Sequence, residues 1–260
     1  MVPTIVLIVV VLTVLFFFRK KKAVKEAPAA MLNYKTLLEQ HIPYYQHLNN
    51  DQKLLFEKKV TGFLADIIIE GVGTTVKDED KVMVAASAVI PIFGFADWKY
   101  RNLTNVILYP DTFDTGFQFE GENRSILGMV GSGYMNGQMI LSKAALIKGF
   151  SKSAGKENTA IHEFVHLLDK ADGATDGVPE NLLAHEYLMP WLKMIHQEIR
   201  KIEVGHSDIN PYAITNEAEF LAVVSEYFFQ KPNELKHKHP DLYEMLSTIF
   251  AQDLADHNIG

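Results

Sequence analysis

The stretch NTAIHEFVHLLDK, Asn158 to Lys170, constrains this chain more than any other. As a helix it would be apolar on most of its sides, through Ala160, Ile161, Phe164, Val165, Leu167 and Leu168. A helix of that kind is buried. Yet it carries His162, Glu163 and His166, and ionisable groups in an interior require partners. Any fold of this chain must therefore bring polar groups from elsewhere onto this helix. Residues i and i+4 share a helix face, so His162 and His166 can point two imidazoles at one ion. Glu163 projects about 100° round from His162, beside the ion rather than on it. That is where a water-activating base belongs. By chance, H-E-x-x-H arises roughly 3 times in 100 chains of this composition. The pattern needs a third ligand, because a catalytic zinc keeps three protein ligands and one open position.

The chain has no cysteine, which excludes disulfides and thiolate metal sites and leaves histidine and carboxylate as the metal-binding groups. With 260 residues, 48% of them hydrophobic, it can build a sizeable core as one large or two small domains. A net charge of −7 speaks against nucleic acid as a direct partner, since phosphate binding needs a basic face.

Val2 to Phe18 contain no charge, and Arg19, Lys20, Lys21 and Lys22 follow at once. As a helix the apolar run spans about 25 Å, short but sufficient for a hydrocarbon core of about 30 Å. A cleaved signal peptide has its positive charge before the apolar run; here the order is reversed. The pattern predicts a single-pass anchor in the lipid bilayer through residues 2-18, with its basic flank in 1-22. The positive-inside rule puts the following chain on the cytoplasmic side of the inner membrane. Residues 23-30 read as a linker containing Pro28, and 31-260 as one globular domain.

Within that domain, Asn49 or Asn50 can cap a helix from about Asp51 to Ile68 with an apolar stripe of Leu54, Leu55, Val60, Phe63 and Leu64. Gly71 and Gly73 end it. A second helix runs from Asp78 to Ala88 and on toward Ile90. Val106–Tyr109 and Met139–Leu141 read as strands. Further helices are expected near Leu182–Ile202, Glu217–Phe229 and Asp241–Ala251. The order predicts an α+β fold, mainly helical with a small sheet.

The segment NPYAITNEAEFLAVVSEYFFQKP, Asn210 to Pro232, supplies the acidic candidates. Glu219 and Glu226, seven apart, share a helix face. With Asn216 as N-cap, Glu219 occupies the third helical position, where a capping box would use it; on the residues alone, cap and ligand both stand. Glu226 fits a carboxylate that orients a histidine. Tyr212 leads into the helix. Asp169 can bond a ligand histidine or cap its helix end. The remaining histidines lack metal spacing, and KHKHP, with His237 and His239, reads as a solvated basic turn.

HEFVH followed by LDK-x-DG-x-x-DGVP, then YA-x-TNEAEFLAVVSEYFF-x-x-P, resembles the MtfA (Mlc titration factor A) family. VILYPDTF, GQMILSKAAL and IPYYQHLNNDQKLLF resemble it too, so the likeness covers roughly Ile42 to Phe250. The Tyr-x-x-x-Asn-Glu-Ala-Glu arrangement also resembles the catalytic domain of anthrax lethal factor. The apolar N-terminus departs from the soluble family pattern. The resemblance implies a zincin-like, gluzincin-type metallopeptidase domain with one Zn(2+) per chain. His162, His166 and Glu219 would hold the ion, with Glu226 as the fallback third ligand. Glu163 would serve as general base and the Tyr212 hydroxyl as oxyanion stabiliser. The implied activity is aminopeptidase-like hydrolysis of a peptide or protein substrate, and the strand at Met139 to Ser142 is a candidate edge for that substrate to pair with. The alternative is a regulatory protein that sequesters a transcriptional repressor of the Mlc type.

Overall fold

The computed structural model describes residues 28–121, 124–131 and 136–255, with side chains from residue 34 onward. The predicted anchor and the linker up to residue 27 lie outside them. Among the described residues no helix is long and apolar enough to cross a membrane.

Helix α1 (Pro28–His41) opens on Pro28, so the last residues of the expected linker are already helical. Proline is tolerated in a first turn because its missing N–H would have no partner there. A short α2 (Pro43–Gln46) leads to α3 (Asn50–Asp66). Asn49 caps α3: its side chain accepts the Gln52 N–H at 2.9 Å, and the Gln52 side chain accepts the Asn49 N–H at 3.0 Å. Phe56 and Val60 face inward, whereas Leu54 and Leu55 are exposed, so the buried stripe is rotated from the expected one.

Helix α3 stops short of the predicted Ile68. The β-branched run Ile67 to Ile69 prefers extended backbone, and Ile68–Gly71 becomes strand β1. Helix α4 (Asp78–Ile92) is buried at every residue from Val82 onward. Strands β2 (Asn105–Tyr109), β3 (Gly128–Val130) and β4 (Gln138–Ser142) complete a mixed sheet in the order β1-β2-β4-β3. β1, β2 and β4 run parallel, and β3 is antiparallel to β4. The strand around Met139 is therefore paired on both sides and is not an edge. The edge is β3.

Helix α5 (Lys143–Gly149) precedes α6 (Thr159–Asp169), which carries the two motif histidines and ends in a 3-10 turn, Lys170–Asp172. Then come α7 (His185–Glu203), a 3-10 turn at Pro211–Ile214, α8 (Glu217–Gln230), α9 (Pro232–Lys238) and α10 (Pro240–Phe250). The structure is mainly helical with a small mixed sheet. α6 packs against α4, α8 and the β3–β4 hairpin. Phe164 of α6 fills the contact, its ring 5.8 Å from Phe63 and 5.2 Å from Tyr100. This burial is what the apolar sides of the opening stretch demanded.

The KHKHP segment is not solvated throughout. His239 is 9% exposed and lies between two carboxylates, with Nε2 2.7 Å from Asp208 and Nδ1 3.4 Å from Glu198. Lys156 and Lys238 close the same cluster on Asp208 at 2.5 and 2.7 Å.

Candidate active site

Two asparagine caps set the frame. Asn158 caps α6 by accepting the Ile161 N–H at 3.2 Å, and its own amide donates to the Gly149 carbonyl at 3.1 Å. Asn216 caps α8 by accepting the backbone N–H of Glu219 at 2.9 Å. Each cap is worth about 1 kcal/mol of helix stability. The second one settles how Glu219 can stand at a capping position and still serve a site. Its backbone N–H completes the cap, and its carboxylate turns the other way, onto α6.

That carboxylate meets both histidines. Oε2 of Glu219 lies 3.0 Å from Nε2 of His162 and 3.6 Å from Nε2 of His166, and the two Nε2 atoms are 3.1 Å apart. Ligands held about 2.0–2.1 Å from a tetrahedral zinc are roughly 3.3 Å from one another. The triangle thus has the size of a metal site, and its two nitrogens and one oxygen are donors of the right chemistry. Among the described residues this is the group of histidines and acids that converges closely enough to hold an ion.

Glu226, one face-repeat further along α8, reaches the opposite nitrogen of His162. Its Oε1 is 2.8 Å from Nδ1, and its Oε2 accepts the backbone N–H of Asn158. One carboxylate therefore ties the start of α6 to a ring in its middle. Because a carboxylate accepts, Nδ1 carries a hydrogen toward Glu226, which leaves Nε2 as the nitrogen a metal would take. Glu226 is not at the triangle itself, so the third vertex is Glu219. Burial alone would lower the His162 pKa, but the bonds to Glu219 and Glu226 outweigh it and raise it to about 10. Burial would likewise raise Glu219, yet the two histidines pull it down to about 2. Without a metal, the pocket keeps its positive charge as a proton.

Glu163 is 7% exposed and points to the β3 side of the cleft. Burial raises its pKa, which the neighbouring histidines partly offset. Gly128, the first residue of β3, lies directly against it. A Cβ built on Gly128 would fall 2.6 Å from both Cγ and Oε1 of Glu163. The edge strand can approach the acid this closely only because residue 128 has no side chain. The glycine-rich character of that segment is visible in the sequence; its contact with Glu163 is not.

Tyr212 lines the same cleft, half exposed, with its ring centroid 6.2 Å from that of His162. Burial, Glu219 and Glu163 all raise its pKa, so its hydroxyl keeps its proton. Asp169 does not cap its own helix. It is fully buried, and its Oδ2 accepts the N–H of Gly177 at 2.9 Å. Gly177 has φ +77°, its carbonyl accepts from the Trp191 indole at 2.7 Å, and a Cβ on it would fall 2.2 Å from the Glu217 carbonyl oxygen. This loop locks the end of α6 to the start of α8, and so helps set the distance between the histidines and Glu219. The cleft enclosed by β3, α6 and the entrance to α8 has a volume of about 580 Å³.

The family model of the glucose-regulated metallo-peptidase M90 matches residues 16–251. The chain belongs to this family. It is similar to the uncharacterized protein slr2042 of Synechocystis sp., 29% identical over 232 residues that cover 84% of this chain and 83% of that one. It is also similar to Mlc titration factor A of Pectobacterium atrosepticum, 28% identical over 63% of this chain and 65% of the relative. Mlc titration factor A of Serratia proteamaculans is 27% identical over 70% and 72%. The MtfA resemblance carried by the motifs is thus shown across most of the domain. Family membership makes this a metallo-peptidase-like protein and implies a metal. The residues present fit one, as a His-His-Glu triangle of suitable size with a glutamate beside it.

Proposed function

We propose that this chain is a zinc-dependent metallopeptidase of the gluzincin type. In this reading His162, His166 and Glu219 are the metal ligands and Glu163 and Tyr212 the catalytic residues. The convergence of Glu219 on two imidazoles, 53 residues and more away in sequence, carries the proposal. Two histidines and one glutamate form the ligand set of catalytic zinc peptidases, which leave a fourth position open. Bound zinc supplies a Lewis acid that polarises a carbonyl and acidifies water. The remaining steps belong to the chain. Glu163 takes a proton from the attacking water and returns it to the leaving amine nitrogen. Tyr212 donates its hydroxyl to the carbonyl oxygen as negative charge gathers there. Glu226 holds the His162 ring in one orientation and one tautomer. The free edge of β3 offers a substrate strand its backbone bonds.

Aminopeptidase-like turnover of small amino-acyl chromogenic substrates is the first activity to measure. Replacing Glu163→Gln removes the base and leaves the three ligands. Turnover should drop by about 10²–10⁴-fold while metal content stays at one ion per chain. Activity that survives both this change and chelation would reject the chemistry.

A bilayer tether through residues 2–18, with the catalytic domain on the cytoplasmic face, belongs to the same proposal and rests on the charge pattern of the N-terminus. Alkaline carbonate extraction of membranes tests it: release of the full chain would remove the tether. The name shared by the relatives, Mlc titration factor A, supports a second reading in which the domain also sequesters a transcriptional repressor. Pull-down from the native cell distinguishes the two, since a regulator retained equally by Glu163→Gln is bound and not cut.

A further inference from the structure

A second cavity of about 400 Å³ lies beside the catalytic cleft. Val130 and Lys170 line both, so they are neighbouring compartments along β3. Its far walls come from the segment after α4, with Asp97, Trp98, Lys99 and Arg101. The charges there do not cancel. Lys99 is paired with Asp66 at 2.8 Å, and Asp97 interacts electrostatically with Lys59. Lys170 donates to a backbone carbonyl, that of Gly131, at 3.1 Å. Arg101 is exposed and makes no ion pair with any described residue. Lys170 and Arg101 therefore face this compartment without an ion-pair partner among the described residues, and with Asp97 as the one lining carboxylate the wall is net positive, in a chain of net charge −7.

The register of β3 connects that charge to the chemistry. Ser142 N–H bonds to the Leu127 carbonyl at 2.7 Å and Gly131 N–H to the Gln138 carbonyl at 2.9 Å, with Met129 opposite Ile140. In an antiparallel ladder the bonding direction alternates. Leu127, Met129 and Gly131 thus face β4, while the N–H and C=O groups of Gly128 and Val130 face the free edge. Gly128 stands against Glu163, and Val130 stands at the mouth of the second cavity. A peptide strand added antiparallel to β3 runs its amino-terminal part toward Val130, Gly131 and the two cations. Two residues of strand cover about 7 Å.

We infer that the cavity bounded by Val130, Lys170 and Arg101 is a substrate subsite that takes an acidic side chain two or three residues to the amino side of the scissile bond. The inference rests on the peptidase reading and deepens it. The favoured substrate is then an extended, acidic peptide cut at an internal bond, and small amino-acyl substrates fill only the part of the cleft next to Glu163. Arg101 supplies a planar fork suited to a carboxylate, and Lys170 a point charge.

The test uses blocked fluorogenic peptides that differ only by Glu or Gln at those two positions, with the full chain loaded with zinc. At low ionic strength kcat/KM should favour Glu by roughly tenfold, and the ratio should fall toward one in about 1 M salt. In Arg101→Gln the ratio should collapse to within about twofold, since the charge-assisted bond is gone. Equal turnover of the two peptides, or a ratio untouched by Arg101→Gln, overturns the subsite. So does a preference that appears only when Glu is moved to the carboxyl side of the cleaved bond. If no peptide is cut, the peptidase reading fails, and the subsite is decided by binding. Fluorescence anisotropy with Glu163→Gln should then show tighter binding of the Glu peptide, lost on adding Arg101→Gln. Equal affinities reject it.

Discussion

Among the described residues, two places hold a histidine between two carboxylates, and they do different things. In the cleft, His162 lies between Glu219 on Nε2 and Glu226 on Nδ1. Behind α8, His239 lies between Asp208 on Nε2 and Glu198 on Nδ1. What separates them is the source of compensating charge. At Asp208, Lys156 and Lys238 close the cluster, and Tyr227 adds a hydrogen bond at 3.1 Å. In the cleft no lysine bonds to Glu219 or Glu226 among the described residues, and the next partner is a second imidazole. A histidine flanked by acids becomes a structural staple when ammonium groups complete it. It becomes a cation site when a second imidazole stands where the ammonium would be.

The largest effect expected from this comparison comes from removing one acid at each place. Glu219→Gln should abolish hydrolysis and release the metal, read by metal analysis and turnover, with little loss of fold. Asp208→Asn should leave metal content alone and cost about 2 kcal/mol in a denaturant titration, since it weakens charge-assisted bonds. Stability losses of the same size in both would erase the distinction.

Next in size is Gly128→Ala. The added methyl has to displace Glu163, and a misplacement near 1 Å can cost on the order of 10²-fold. Single-turnover kinetics should show a slow chemical step with the metal retained. Wild-type kinetics would show that the close contact is not needed.

Glu226→Gln keeps a hydrogen bond but loses the charge behind His162. Metal affinity should fall by about 10-fold or more, measured by competition with a chelating dye. The same affinity as wild type would reduce Glu226 to a helix tie.

The smallest effect is a pH slope at the staple. Bonds to Glu198, joined by Asp208, raise the His239 pKa against the effect of burial. A raised histidine stabilises fully below its unfolded value near 6.5 and loses that contribution as pH rises through the folded value. Asp208 is lowered: burial opposes this, but Lys156, Lys238 and His239 prevail. Its contribution is present above about 3.9 and lost as pH falls below. Melting temperature should therefore drop by about 2–4 °C above the histidine range and not do so in His239→Gln.

Much of the site was legible because it obeys local rules. The four-residue spacing of His162 and His166 works on any helix, and the caps at Asn158 and Asn216 follow from their chemistry at helix starts. Glu219 was ambiguous for a reason now visible: its backbone serves the cap while its side chain serves the triangle. The placing of the edge was wrong because strand pairing is non-local. Met139 to Leu141 has strand composition, but nothing in it says whether one side is free or both are paired. The three-residue β3, with Gly128 and Met129, gives no periodicity to read. His239 looked solvated because its partners, Glu198 and Asp208, are 41 and 31 residues away.

The amino-acid sequence by itself determined that one helix would be buried, that it would present two imidazoles and an acid to a common point, and that carboxylate would be needed to complete a metal site in a chain without cysteine. These follow from helical period and side-chain chemistry, which act over a few residues. Tertiary structure alone decided which acid closes the triangle, which acid stands behind it, and how near the edge strand comes to Glu163. Those outcomes depend on how α8 and β3 pack against α6, and packing distances are set by side chains far apart in the chain.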